Sequence, residues 1–209
     1  MAARNDPWSL VIPVKRLTIA KSRIELPPGD RADLAIAMAS DTVAAAVACA
    51  LVGLVVVVTD DPRAAATLAS AGVVVVPDQP DAGLNPALRH GAAAAGGGPV
   101  AAVSADLPTL TATALEAVLA AAERLPRGVV ADQAGTGTTV LTASSAAELV
   151  PRFGATSFRA HREDGAVDLT PFAADSVRRD VDTLAELRDA VRIGVGAATN
   201  ALVARLASS

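Results

Sequence analysis

The run Leu54-Val55-Val56-Val57-Val58-Thr59 leaves this chain few architectures to choose from. A strand with one wet face alternates apolar and polar residues. This run is apolar up to its last position, the pattern of a strand covered on both faces. Before it, the Ala- and Leu-rich stretch Asp30–Leu51 reads as a long helix with Asp30 as its N-cap. The uncharged run Val43–Val58 is shorter than a membrane span of about 20 residues and is broken at Gly53. It reads as helix end, turn and buried strand, so no membrane partner is expected.

The same alternation continues along the chain. Trp8–Val14, Val73–Val76, Val100–Ser104, Gly128–Ala131 and Thr138–Thr142 read as further strands. Pro62–Ala71, Asn85–Ala95, Thr111–Arg124, Phe153–Ala160 and Thr183–Val191 read as helices, and Ser176–Val181 as a late strand. This rhythm predicts an α/β chain, a Rossmann-like three-layer fold with a mostly parallel central sheet. At 209 residues it forms one domain. The tail 193–209 adds an amphipathic helix with apolar positions at Leu202, Val203 and Leu206, for packing or for a homodimer contact.

Composition narrows the function classes. Hydrophobic residues make up 52%, which excludes disorder, and aromatics only 2%, so the core is built from Ala, Val and Leu. The net charge is -4 and no long basic run occurs, so no nucleic-acid partner is expected. The single cysteine, Cys49, rules out a disulfide within the chain and reads as a buried, inert thiol. Arg4, Asp6 and Pro7 precede the first apolar run, unlike a signal peptide, and the expected compartment is cytoplasmic.

In sheets of this type, ligands collect beyond the carboxyl ends of the strands. Four cations, Lys15, Arg16, Lys21 and Arg23, follow the first strand, where they suit triphosphate oxygens and leaving pyrophosphate. Asp106 follows the fourth strand. A carboxylate there, if buried alone, costs several kcal/mol, and a Mg²⁺ ion bridging phosphates would supply its partner. The competing role, a helix cap, falls instead to Thr109 or Thr111. Asp180 and Asp182 are two apart, so on a strand both carboxylates face one cation; equally, Asp182 caps the helix that follows.

The turn Asp132–Thr139 offers amides and hydroxyls suited to a phosphate or carboxylate, or is simply a tight turn between strands. Gly154 and Ser157 sit at a helix start, another anion seat. The string Gly135–Val140 opens like a dinucleotide-binding loop but lacks its last glycine and leads into a strand, and no P-loop occurs. His90 and His161 have no Ser or Cys nucleophile to serve, so a catalytic triad is disfavoured.

Six motifs in order then resemble one family. They are Pro13-Val14-Lys15 with Ala20-Lys21-Ser22-Arg23, Gly83-Leu84-Asn85, Ser104-Ala105-Asp106-Leu107-Pro108, Asp132 with Gly135–Thr139, Phe153-Gly154 with Ser157-Phe158 and His161, and Asp180-Val181-Asp182-Thr183. Together they look like the guanylyltransferases of deazaflavin coenzyme F-420 biosynthesis, related to molybdopterin-guanine-dinucleotide synthases. Where that superfamily often has a Gly-Gly pair in the first loop, this chain has Pro13-Val14-Lys15.

The resemblance implies a nucleotidyltransferase that moves GMP from GTP onto phosphoenolpyruvate with Mg²⁺ as cofactor. It implies Asp106, Asp180 and Asp182 as metal ligands, with Asp106 and Lys21 catalytic. It implies Lys15, Lys21 and Arg23 on the triphosphate and Asn85 on the guanine or its ribose. Thr139, Gly154 and Ser157 would bind phosphoenolpyruvate. Residues 1–131 then form a nucleotide-binding half and 132–192 an acceptor-binding half. The same chemistry on 2-phospho-L-lactate or 3-phosphoglycerate, or a noncatalytic nucleotide-binding protein on this fold, are the alternatives.

Overall fold

Two strands placed side by side at the middle of the sheet, each leading its chain away in a different direction, determine where this protein can bind a ligand. The computed structural model describes residues 6–18, 21 and 23–208. Strands β1 (Trp8–Pro13), β2 (Val52–Val58), β3 (Val73–Val76), β4 (Val100–Val103), β5 (Arg127–Ala131), β6 (Thr138–Ala143) and β7 (Val167–Asp168) form one sheet. Its order is β3-β2-β1-β4-β6-β5-β7. The chain runs from β1 outward through β2 and β3, then returns to the other side of β1 as β4. The crevice between the loops leaving β1 and β4 is therefore a topological switch point.

The sheet is mostly parallel, as the rhythm predicts, with β6 antiparallel to both β4 and β5. Strand β6 thus lies between two strands that precede it in the chain, and the segments before and after residue 131 share one sheet.

Helices α1 (Pro28–Ala48), α2 (Pro62–Leu68), α3 (Leu84–Ala94), α4 (Ala112–Ala122) and α5 (Ser157–Glu163) cover it. On one face Leu10, Ile12, Val55 and Val57 pack with Ala39 and Val43 of α1, Leu68 of α2 and Leu115 of α4. On the other, Val11, Val56 and Val58 pack with Ala87, Leu88 and Ala92 of α3. The valine run is therefore buried on both sides, the condition its unbroken apolarity requires. The small residues let helices come close. A Cβ at Gly91 of α3 would sit 2.5 Å from Val11 Cγ1 and 2.6 Å from Val58 Cγ2.

Helices α6 (Asp175–Arg178), α7 (Leu184–Ile193) and α8 (Ala197–Ala207) complete the chain. The tail's apolar positions are met within the molecule: Leu202 packs with Leu34 and Met38 of α1 and Leu187 of α7, with Val203 and Leu206 alongside. Asp41 of α1, itself buried, caps α8 by accepting the N–H groups of Ala198 and Thr199, each at 2.9 Å.

Two expectations are corrected. Helix α1 starts at Pro28 with Pro27 at the cap position, so Asp30 lies in the first turn, where its charge faces the positive helix end. The strand expected at Ser176–Val181 does not form: Asp175–Arg178 is a short helix, and residues 179–183 are irregular. Val177 and Val181, four apart, are both fully buried but enter different clusters, one beneath the sheet and one beside α1, which a flat strand could not arrange. The run Val43–Val58 divides into helix and strand, and no described helix is long and apolar enough to cross a membrane.

Candidate active site

A cleft of about 360 Å³ opens at the switch point. Pro13, Val14 and Lys15 line it from the end of β1, and Ser104, Ala105 and Asp106 from the end of β4. Lys21, Arg23 and Asp182 close its rim. A second cleft, of about 300 Å³ between Trp8, Leu51, Pro99 and Glu123, lies at the opposite ends of the strands and holds no comparable cluster of charge.

The loops are fixed from below. Asp61 caps α2 through the N–H groups of Arg63 and Ala64, and its other oxygen accepts the N–H of Leu17, 3.0 Å away, in the loop leaving β1. Thr42, buried in α1, brackets Asp106. Its hydroxyl oxygen lies 3.2 Å from the Leu107 N–H and 3.2 Å from the Ala105 carbonyl. The Val181 N–H donates to the Asp106 carbonyl at 3.2 Å and so brings Asp182 beside the β4 exit. Asp106 caps no helix: Thr111 caps α4. Nor does Asp182, because Thr183 and Glu186 form a reciprocal capping box at the start of α7. Both carboxylates are left for other chemistry.

Lys21 joins them. Its Nζ lies 2.5 Å from Asp106 Oδ2 and 2.9 Å from Asp182 Oδ1, with the side chain 9% exposed. Burial works against its charge, but the attraction of Asp106 and then Asp182 outweighs this and raises its pKa. Burial likewise works against the Asp182 carboxylate, and Lys21 reverses the effect and holds it below the ordinary carboxylate range. Arg23 Nη1 is 3.7 Å from Asp182 Oδ2. Ala20 and Ser22 of the same motif lie outside the described residues.

Asp180 has no such cation. Burial, and then repulsion from Asp106, Asp132 and Asp182, push its pKa up to about 7. A carboxylate raised by burial, and further by three acidic neighbours, marks a place where negative charge lacks compensation. Asp106, Asp180 and Asp182 offer only oxygen donors, the set a hard cation such as Mg²⁺ takes. Among the described residues no trio of acidic, His or Cys side chains is already drawn together at metal-binding distance, and the Lys21 ammonium lies between Asp106 and Asp182.

The residues expected at the acceptor lie on β6 and at, or just before, the start of α5. Thr139 follows the cleft wall: its carbonyl accepts the Ser104 N–H at 2.9 Å, and its hydroxyl is buried with no partner. Ser157 is buried at the start of α5, and its N–H donates to the Gly154 carbonyl. The turn Asp132–Gly137 packs beside them, with Phe158 N–H donating to the Thr136 carbonyl. Asp132 accepts the N–H groups of Thr136 and Gly137, and Arg178 holds the turn from outside through the carbonyls of Ala131 and Asp132. Asp180 feels the charge both of Asp106 at the cleft and of Asp132 at this turn.

The amide of Asn85 is bonded to the backbone of Phe153, while its neighbour Leu84 lines the cleft. His161 is 1% exposed and bridges β6 to the loop before α5. Its Nε2 accepts the Arg152 N–H at 2.8 Å, so its Nδ1 carries the proton and donates to Thr138 Oγ1 at 3.0 Å. Thr42 and Arg178 were not singled out from the sequence. Thr42, next to Asp41, did leave a signal: adjacent polar residues in an Ala-rich helix must find partners once buried.

The family described as "Guanylyl transferase CofC like" matches the chain over residues 8–206. The phosphoenolpyruvate guanylyltransferase of Streptomyces coelicolor is 53% identical over 205 residues, covering 95% of this chain and 97% of its own. That of Geodermatophilus obscurus is 50% identical over 203 residues, covering 94% of each. Among solved structures, a nucleotidyl transferase from Methanothermobacter thermautotroptrophicus superposes with a TM-score of 0.65 at 19% identity, over 90% of this chain and 98% of that one. A 4-diphosphocytidyl-2C-methyl-D-erythritol synthase from Anaerococcus prevotii gives 0.57 at 11% identity, over 90% and 94%. At these identities the structures speak for the fold, a nucleotidyltransferase α/β fold.

Proposed function

The chain belongs to the CofC-like guanylyl transferase family, and from that premise we propose that it transfers GMP from GTP to phosphoenolpyruvate, releasing pyrophosphate. The product is enolpyruvyl-diphospho-guanosine, in the biosynthesis of deazaflavin coenzyme F-420. The observation that carries the reading is the meeting of Lys21, Asp106 and Asp182 at the switch-point cleft. It occurs in a chain about half identical, over nearly its whole length, to proteins named for this reaction.

A phosphate oxygen of the acceptor attacks the α-phosphorus of GTP in line. The new P–O bond forms as the bond to the pyrophosphate oxygen breaks. The nucleophile is already an anion, so no side chain has to remove a proton. The protein's work is to hold two repelling anions together and to meet the charge that grows on the leaving group. Lys15, Lys21 and Arg23 line the cleft where the triphosphate would lie. Thr139, Gly154 and Ser157 would receive the acceptor, and the partnerless Thr139 hydroxyl supports that assignment, since a buried hydroxyl calls for a partner.

Asp106, Asp180 and Asp182 would hold Mg²⁺. When bound, the ion supplies charge neutralisation across both phosphates. The crowding that raises Asp180 supports a cation at this place. Lys21, which bridges two of the three carboxylates, is free to follow a phosphate oxygen once they have another cation to serve.

The test is pyrophosphate release from GTP and Mg²⁺ with phosphoenolpyruvate, 2-phospho-L-lactate and 3-phosphoglycerate in parallel, with the nucleotide product weighed by mass spectrometry. The expected product forms with phosphoenolpyruvate fastest. A faster reaction with either other acid overturns the choice of acceptor. Silence with all three, alongside measurable GTP binding, overturns the enzyme reading.

A further inference from the structure

Asn85 is the second residue of α3, on the side of the sheet opposite α1 and α4, and its amide lies along the backbone of a residue 68 positions away. The Phe153 N–H donates to Asn85 Oδ1 at 2.7 Å, and Asn85 Nδ2 donates to the Phe153 carbonyl at 3.2 Å. One side chain thus pairs with both polar groups of a single residue, much as a neighbouring strand would. Only an amide presents a donor and an acceptor in this fork.

Phe153 begins the turn to Gly154 and Ser157. Its other neighbour, Arg152, gives its N–H to His161, and the Phe153 ring meets the His161 ring edge-on with centroids 5.3 Å apart. Residues 152–154 therefore hang between two supports. His161 belongs to α5, which moves with the acceptor segment itself. Asn85 belongs to α3, whose Ala87, Leu88 and Gly91 are packed on β1 and β2. His161 ties the segment to β6 through Thr138, and Asn85 ties it to the helix packed on β1 and β2, the strands on the other side of the cleft.

We infer that Asn85 is a positioning residue for the acceptor: by clamping Phe153 it sets Gly154 and Ser157 at a fixed distance from the cleft, and it does not read the nucleotide. This rests on the reading above, in which Gly154 and Ser157 receive the phospho-acid. A contact with guanine or ribose would show in the handling of GTP. A clamp shows in the handling of the acceptor, because loosening the turn spreads the acceptor's partners over many positions.

The experiment compares Asn85→Ala and Asn85→Asp with the unaltered protein, varying GTP and phosphoenolpyruvate separately. Asn85→Asp keeps an acceptor for the Phe153 N–H but faces the Phe153 carbonyl with a carboxylate, so it retains the size and loses the fork. The expected result in Asn85→Ala is a KM for phosphoenolpyruvate raised on the order of tenfold, from two lost neutral hydrogen bonds. Asn85→Asp should give a similar rise, from one lost bond and a carboxylate set against the Phe153 carbonyl, with KM for GTP in both variants within about twofold of the original. Hydrogen exchange gives a readout independent of turnover: amides 152–157 should lose protection while those of β1 and β2 keep theirs. A rise in KM for GTP with KM for the acceptor unmoved overturns the inference, as does unchanged exchange at 152–157. A uniform fall in kcat with both KM values unchanged also overturns it, since that is what a smaller folded fraction produces. If the unaltered protein makes no product while the exchange pattern shifts as expected, the functional reading fails and the clamp stands only as a structural tie.

Discussion

His161 offers the sharpest test of how this protein holds its acceptor segment. Burial, opposed by Asp164 and reinforced by Arg152 and Arg127, lowers its pKa from 6.5 to about 4. The geometry agrees. The Arg152 N–H points at Nε2, so adding a proton there sets two donors against each other and removes the bond. A group whose folded pKa lies below its unfolded value contributes stability that is whole above the unfolded pKa and lost as pH falls toward the folded one. The window is therefore pH 6.5 down to about 4. A gap of about 2.5 pH units, at about 1.4 kcal/mol per unit, corresponds to a loss of about 3.5 kcal/mol once the ring is fully protonated. The chain has only two histidines, so two ring signals in a proton–carbon NMR titration can be assigned with one His90→Gln variant. The His161 signal should stay neutral through pH 5, and urea unfolding should lose stability over the window, with the KM for the acceptor rising before the global transition. A His161 midpoint near 6.5, or stability flat from pH 6.5 to 4.5, would refute the reasoning.

Asp106→Asn should cut product formation on the order of a thousandfold while circular dichroism and Tm stay close to the original; near-normal turnover would remove Asp106 from the catalytic set. Asp180→Asn should also lose activity yet be more stable, by about 1–2 kcal/mol at pH 8, because it removes a buried charge, repelled by its neighbours, whose pKa is raised to about 7. The gain should shrink toward pH 4, where Asp180 is protonated anyway, and a lowered Tm at pH 8 would contradict the crowding. Gly91→Ala should destabilise by about 1–3 kcal/mol in chemical denaturation, since the added methyl meets Val11 and Val58 between helix and sheet.

The strands were legible because burial on both faces writes itself as unbroken valine, and the ends of those strands named Lys15, Lys21, Arg23 and Asp106 before any coordinates. Strand order was not legible. Periodicity says which faces are covered but not which neighbour covers an edge, so nothing in Thr138–Ala143 announces that β6 lies antiparallel between β4 and β5. The segment after Ala174 was misread because Val177 and Val181 suit a strand or a helical turn equally. Asp180 and Asp182 reach the cleft region all the same, through a bond from Val181 to the Asp106 backbone instead of a shared strand face. Asn85 was named, but its partner was not. An amide two residues after Gly83 gives no hint that it pairs with a peptide group 68 residues ahead.

The placement of Asp182 and of the Asp41-capped helix also bears on how the protein comes into being. A chain leaving the ribosome presents β1, Lys21 and Asp106 long before Asp180 and Asp182 emerge, and Asp41 stays unmatched until residues 198 and 199 arrive. An unfinished chain therefore holds Lys21 and Asp106 without Asp182, and α1 without the helix that Asp41 caps. Both ties form only when late-made residues return to early-made ones, so the cleft rim and the α1–α8 packing are completed by the last part of the chain to be synthesised.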